Sequence, residues 1–147
     1  MDKAEVDLNR YIQSKPESIE GYLANAELYR SKTEFQKALM YIDTALLLFH
    51  KRVDLDSTTR LEDIQDIDDV PLEDILYEKG MIEFSLGRYT EAVNSFTFCI
   101  TKEFSLNDCY YFRALSYRKM GLENLAVADL NHTTYEFDPD DYNQSEM

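Results

Sequence analysis

The sequence predicts an all-α protein built from antiparallel pairs of helices, and three observations support this prediction. The 147 residues include only four Gly and three Pro, and 44% of them are hydrophobic, as expected of an ordered helical domain. Ala4 and Ala38 lie 34 residues apart, and the same interval separates Ala92 from Ala126. Gly87 stands between two expected helices, where it can end the first of them in the left-handed conformation.

The repeated alanines have large companions at constant distances. A large apolar residue follows each alanine by four positions, and a pair of one large and one small residue precedes three of the alanines. The following residues are Leu8, Ile42, Phe96 and Leu130, and the preceding pairs are Tyr22/Ala26, Leu76/Gly80 and Tyr110/Ala114. Because residues four apart share one face of a helix, each pair marks a stripe that packs against a neighbouring helix.

This pattern resembles the tetratricopeptide repeat (TPR), whose first helix carries large-x3-small and whose second helix carries Ala-x3-large. The resemblance implies an α-solenoid of TPR-like antiparallel helix hairpins, with about three repeats plus an N-terminal half-repeat. It also implies a non-enzymatic module that holds a partner peptide or helix in a concave groove, because proteins of this family act in that way.

In chain order, the sequence predicts a single TPR-like domain over residues 1–147 with one interruption. The interval from Ala38 to Ala92 is 54 residues, which exceeds the repeat length by 20. Pro71 suits the first turn of the helix after this excess, and Pro139 ends the last helix. The predicted segments are an N-terminal half-repeat helix (1–16), repeat 1 (17–50), an acidic insertion (51–70), repeat 2 (71–104), repeat 3 (105–137) and an acidic tail (138–147). The predicted helices are 2–14, 17–31, 34–49, 71–86, 88–102, 106–120 and 122–136.

The net charge of −14 is concentrated in two segments. Residues 54–74 hold nine acids and one base, and residues 136–147 hold five acids and no base. Both segments would repel a phosphate backbone, so we expect no nucleic-acid binding. The acids of the insertion lack the glycine and the final glutamate of an EF-hand, which favours a solvated or partner-binding loop over a calcium site. Its interleaved apolar residues predict that part of the insertion folds back on the array or forms a short extra helix.

Four polar residues depart from the resemblance. Asn25, Lys79 and Arg113 stand where the family usually has Leu in the first helix, and Glu83 replaces an aromatic residue. We expect the hairpins still to stack, with the second hairpin rotated or its neighbours repacked around Glu83. Ser105 and Asp108 have capping-box spacing at the start of the third repeat.

Residues suited to catalysis or metal binding are scarce. His50 and His132 fall in different repeats and have no Cys or His at metal-ligand spacing. Cys99 is expected to be a buried structural thiol, and Cys109 begins a helix without other signs of a reactive cysteine. We therefore expect no enzyme activity, no cofactor and no metal. Two cysteines and the lack of a long apolar run predict a cytoplasmic location without membrane insertion.

The expected binding surface is the concave side, which the first helix of each hairpin lines. On these helices, residues three or four apart form a strip with an apolar middle and an acidic edge. The predicted groove residues are Leu23, Glu27, Asp74, Tyr77, Met81, Phe84, Asp108, Tyr111 and Leu115. The Lys, Asn and Arg residues with which one TPR subclass clamps the acidic tails of heat-shock chaperones are absent. The partner expected here has apolar anchors and basic flanks.

Two other interpretations of the function remain open at this stage. The chain resembles small acidic TPR chaperones of secretion systems in size and charge, which makes a client-binding chaperone an alternative. It also fits a self-assembly or regulatory domain of a larger enzyme complex. In the self-assembly case, a homodimer would form through the terminal helices, whose outer faces carry apolar residues.

Overall fold

The structure, a computed structural model, describes residues 1–55 and 70–135. Seven α-helices lie in these ranges: α1 (Lys3–Ser14), α2 (Ile19–Ser31), α3 (Phe35–Leu55), α4 (Leu72–Ser85), α5 (Tyr89–Thr101), α6 (Leu106–Lys119) and α7 (Glu123–Leu130). The all-α prediction is therefore confirmed for the described part of the chain.

The helices form a one-dimensional stack. Each helix contacts the next one along the chain, and in addition α2 contacts α4 and α4 contacts α6. Within residues 1–55 and 70–135, no such contact joins α3 to α5 or α5 to α7. The helices α2, α4 and α6 thus form a continuous inner row, and α3, α5 and α7 stand further apart on the outer side. This arrangement confirms the predicted α-solenoid of helix hairpins.

Small residues bring the paired helices close together. Ala38, Ala92 and Ala126 are fully buried, as the repeat pattern predicts. A Cβ atom added to Gly80 would lie 2.9 Å from the ring of Phe96, so a larger residue there would push α4 away from α5. The predicted pairing of a small residue on one helix with a large residue on the next is therefore the contact that sets the hairpin distance.

The turns between the helices use left-handed backbone. Gly87 and Gly121 have φ of 76° and 79°, and each directly follows the end of a first helix in a hairpin. After α5, the same conformation is adopted by Glu103 and Ser105, which lack the freedom of glycine. Ser105 makes no side-chain cap to α6, so the predicted capping box with Asp108 is wrong. A φ of 44° turns Ser105 out of the extended conformation that an N-cap requires.

Two predicted helix ends differ from the structure. α3 continues to Leu55, five residues into the predicted insertion, because Val53 is buried in the first core cluster together with Val70. α7 ends at Leu130 and not near residue 136, and a short segment (131–135) follows it. The remainder of the predicted insertion (56–69) and the acidic tail lie outside the described residues.

Three of the four polar residues that depart from the TPR pattern pair with a side chain on a neighbouring helix. Lys79 lies 2.5 Å from the carboxylate of Asp43 on α3, and the Ser95 hydroxyl on α5 donates to the Glu83 carboxylate at 2.6 Å. Burial raises the pKa of Glu83, and the Ser95 hydrogen bond opposes that rise. Polar pairs between neighbouring helices thus replace the apolar contacts that the family uses at these positions.

A candidate peptide-binding groove

All nine predicted groove residues lie on the inner row of helices. Leu23 and Glu27 are on α2, Asp108, Tyr111 and Leu115 are on α6, and the other four are on α4. Glu27 is exposed and the remaining eight are half-buried, so each presents part of its side chain to solvent.

The apolar residues of the groove are supported from below by the core. Tyr77, Met81 and Phe84 pack against the second core cluster, which is centred on Ala92, Phe96, Cys99 and Cys109. The Tyr77 ring meets Phe104 edge-on at 5.9 Å, and Phe84 meets Phe112 at 5.5 Å. Such contacts fix the ring orientations. The half-buried aromatic groups therefore pack between hairpins on one side and expose their other side to solvent.

Three carboxylates and one guanidinium lie near one another where α2 meets α4. Glu78 is buried and accepts two hydrogen bonds from Arg30, one of them at 3.2 Å. Desolvation by the surrounding protein raises the pKa of Glu27, and the nearby charges of Glu78 and Asp74 raise it further against the opposing effect of Arg30. The pKa of Arg30 is also raised, chiefly by its hydrogen bond to Glu78. This end of the groove therefore carries more negative charge than its own cation offsets.

At the other end of the groove, one carboxylate accepts hydrogen bonds from two tyrosine hydroxyls. The hydroxyl of Tyr77 donates to Asp108 at 3.0 Å, and the hydroxyl of Tyr135 donates to the other oxygen of the same carboxylate. Burial raises the pKa of Tyr77, and the charge of Asp108 adds to the effect. The Tyr135 ring also lies 5.0 Å from that of Tyr111. Asp108 thus links α4, α6 and the segment after α7.

Sequence reasoning did not place Tyr135 in the groove. The predicted last helix (122–136) ran past this residue, so Tyr135 was expected to be part of that helix. The helix instead stops at Leu130, and Asn107 on α6 accepts hydrogen bonds from the Thr134 amide at 2.6 Å and from the Thr133 hydroxyl at 3.0 Å. Two adjacent β-branched threonines weaken the helix, and they were the available signal.

The cysteines and His132, which were considered for catalysis or metal binding, make hydrogen bonds and ring contacts within the fold. The buried Cys99 and Cys109 thiols donate to the carbonyls of Glu73 and Phe104. The neighbouring Cys109 thiol raises the pKa of Cys99, and burial raises it further. His132 stacks on Tyr110 at 4.7 Å. In residues 1–55 and 70–135, no group of three His, Cys, Asp or Glu side chains is arranged to hold a metal ion. No helix of those ranges has both the length and the apolar character needed to cross a bilayer.

Comparison with known proteins identifies the repeat. Residues 73–101 match the family model of the tetratricopeptide repeat, and they correspond to the hairpin of α4 and α5. This match confirms, for residues 73–101, the resemblance predicted from the sequence. Repeats of this family generally mediate protein–protein interaction and are typically non-enzymatic. No curated protein and no solved structure matches the chain.

Proposed function

We propose that this protein is a non-enzymatic interaction module that binds an amphipathic helix or an extended peptide of a partner in the groove of α2, α4 and α6. The observation that carries the proposal is the inner row itself, where half-buried apolar side chains run between a cluster of carboxylates at the contact of α2 with α4 and the single carboxylate of Asp108 on α6. The partner has apolar anchors for the middle of the groove and Lys or Arg residues beside them. A cytoplasmic location without nucleic-acid binding remains part of this proposal.

The apolar middle of the groove supplies part of the affinity. Tyr77, Met81 and Phe84 are held by core contacts and keep one side open to solvent. Their rigid placement lowers the ordering cost of binding. Because these side chains are already half-buried, burial of their exposed part contributes roughly half of the ~1.5–3 kcal/mol of complete burial each, compared with the roughly 8 kcal/mol of a micromolar complex. The groove side chains therefore supply part of the affinity, and the apolar anchors of the partner supply the rest.

The acidic ends of the groove supply selectivity. The charges of Glu78 and Asp74 make Glu27 harder to ionise, and the guanidinium of Arg30 is already held by Glu78. A lysine or arginine from a partner would relieve this repulsion. Charge complementarity of this kind raises association rates and excludes acidic competitors more than it increases affinity. An acidic peptide should bind poorly for the same reason.

A displayed library of random peptides tests the proposal, because selection from it requires no identified partner. We expect the selected peptides to combine apolar and basic residues. Met81→Glu and Tyr111→Ala should weaken their binding at least tenfold and leave the helical circular dichroism spectrum intact. Leu125→Ala, an exposed position on α7, is the matched control. Peptides that bind both groove variants as well as wild type would place the site elsewhere.

Self-association is a second candidate function, and one observation favours it. Leu122, Leu125 and Val127 are 41–48% exposed at the last hairpin, which gives this end of the array an apolar surface. Terminal repeats usually carry a polar outer face. A homodimer through this end would sediment with a concentration-dependent mass, and Leu125→Glu would return it to the monomer. A wild-type monomer at high concentration would rule out this candidate.

A further inference from the structure

The segment after α7 lies against the groove of the same chain. Tyr135 contacts two of the nine predicted groove residues, since its ring packs on Tyr111 at 5.0 Å and its hydroxyl donates to Asp108. We call residues 131–135 the strap. The third-repeat part of the groove is thus filled by a side chain of the protein itself.

The strap is fixed by backbone as well as by side-chain contacts. Asn107, in the first turn of α6, accepts hydrogen bonds from the Thr134 amide and from the hydroxyls of Thr133 and Thr134, at distances of 2.6 to 3.2 Å. These bonds bring the chain back across the start of α6 and place Tyr135 beside Tyr111. The strap therefore has a defined position that its own hydrogen bonds specify.

Tyr135 nevertheless remains 46% exposed, which separates it from a core residue. Its side chain makes one ring packing and one hydrogen bond to a carboxylate, and its amide donates to the Thr133 hydroxyl within the strap. These contacts leave the aromatic side chain well short of complete burial, so they hold it less firmly than a core position would. Local contacts of this kind allow the strap to leave while the array stays folded.

From these contacts we infer that Tyr135 is an internal ligand of the groove: the site formed by Asp108 and Tyr111 accepts an aromatic side chain with a hydrogen-bond donor, and the strap occupies it until a partner's Tyr or Trp takes its place. This inference rests on the proposed function, because it specifies what one end of the groove recognises. The carboxylate selects the donor group and the Tyr111 ring selects the aromatic face. The strap thereby lowers the affinity for every partner that uses this end.

The size of the effect follows from the equilibrium of the strap. If the strap is closed in about nine molecules out of ten, a partner that needs the site binds about tenfold more weakly than it would to an open groove. Removing the strap should make the binding of such a partner about tenfold tighter. A partner that uses only α2 and α4 should not respond to the change.

The experiment selects peptides from a random displayed library on the Tyr135→Ala variant and then compares their dissociation constants across variants. We expect the peptides to carry Tyr or Trp and to bind wild type about tenfold more weakly than Tyr135→Ala. Asn107→Ala releases the strap with Tyr135 intact, so this variant should also bind the peptides more tightly than wild type does. Tyr135→Phe keeps the ring without the hydrogen-bond donor, so its affinity for the peptides should lie between those of wild type and Tyr135→Ala. Leu125→Ala should match wild type.

A second measurement follows the strap directly. The Thr134 amide should exchange its hydrogen faster when a saturating peptide is present, because its bond to Asn107 is broken. Peptides that lose affinity on Met81→Glu but bind wild type and Tyr135→Ala equally would overturn the inference and leave the groove function standing. If no peptide depends on Met81, both the groove function and this inference fail. Circular dichroism of each variant verifies that it is folded.

Discussion

The ion pair between Arg113 and Asp129 gives the sharpest test of how the divergent repeats are stabilised. Two guanidinium nitrogens donate to the two carboxylate oxygens of Asp129, each at 2.7 Å, and a third donates to Thr97 at 3.1 Å. The side chains are only 16% and 7% exposed. We predict that Arg113→Leu destabilises the protein although leucine is the residue usual for the family at this position.

The magnitude follows from the carboxylate left behind. Removing one partner of a buried pair typically costs about 3–5 kcal/mol, because the remaining charge has no counterion. Arg113 also lies 5.6 and 5.7 Å from the rings of Tyr110 and Tyr117, and these cation–π contacts would be lost as well. We take about 3 kcal/mol as the expected loss, the lower end of that range. For a domain of this length, that loss lowers the melting temperature by about 6–12 °C.

Urea unfolding followed by circular dichroism measures this loss. The double variant Arg113→Leu/Asp129→Leu removes both charges, and it should regain at least half of the lost stability. The two effects would then be strongly non-additive, as expected of residues in contact. An Arg113→Leu variant within about 1 kcal/mol of wild type, or additive single and double variants, would refute the assignment of a buried pair to this hairpin.

Three further predictions concern stability and reactivity. Deleting residues 56–69 while keeping the buried Val53 and Val70 should change the free energy of unfolding by about 1 kcal/mol or less, because the entropic cost of loop closure depends weakly on loop length. A loss of several kcal/mol would show that the deleted residues belong to the core. Burial raises the pKa of Glu83 in the folded state above its unfolded value of 4.5, so ionisation of Glu83 makes the folded state less stable as the pH rises from 4.5 through the folded pKa. Over that pH range, Glu83→Gln should therefore gain stability relative to wild type in urea unfolding. A stability difference that does not change with pH would contradict this prediction. Cys99 and Cys109 should react with iodoacetamide only after unfolding, and rapid alkylation of the folded protein, detected by mass spectrometry, would contradict their burial.

Side-chain periodicity made the fold predictable. Four alanines spaced by the repeat interval and its one extension, each with a large residue four positions later, located the second helix of each hairpin, and the structure buries Ala38, Ala92 and Ala126 at these contacts. The groove helices then followed from the order of the hairpins. The helix ends were less predictable, because the burial of Val53 and the hydrogen bonds of Asn107 depend on residues far away in the sequence.

Polar partners across the array could not be predicted from one sequence. Arg30 and Glu78 are separated by 48 positions, and the two phenols that meet at Asp108 come from different repeats. Residue types predicted an acidic edge of the groove, but not which acids were already paired. Tyr135 shows the same limit, since its position depends on where α7 stops.

Methyl NMR with a selected peptide tests most directly whether partners bind on the inner row of helices. The reporters are Leu23, Met81 and Leu115, which lie on α2, α4 and α6. Met40 and Leu47 on α3 are the controls, being 70% and 68% exposed. We predict that the peptide shifts the methyl resonances of the reporters and leaves those of Met40 and Leu47 in place. Shifts confined to Met40 and Leu47 would contradict binding in the groove.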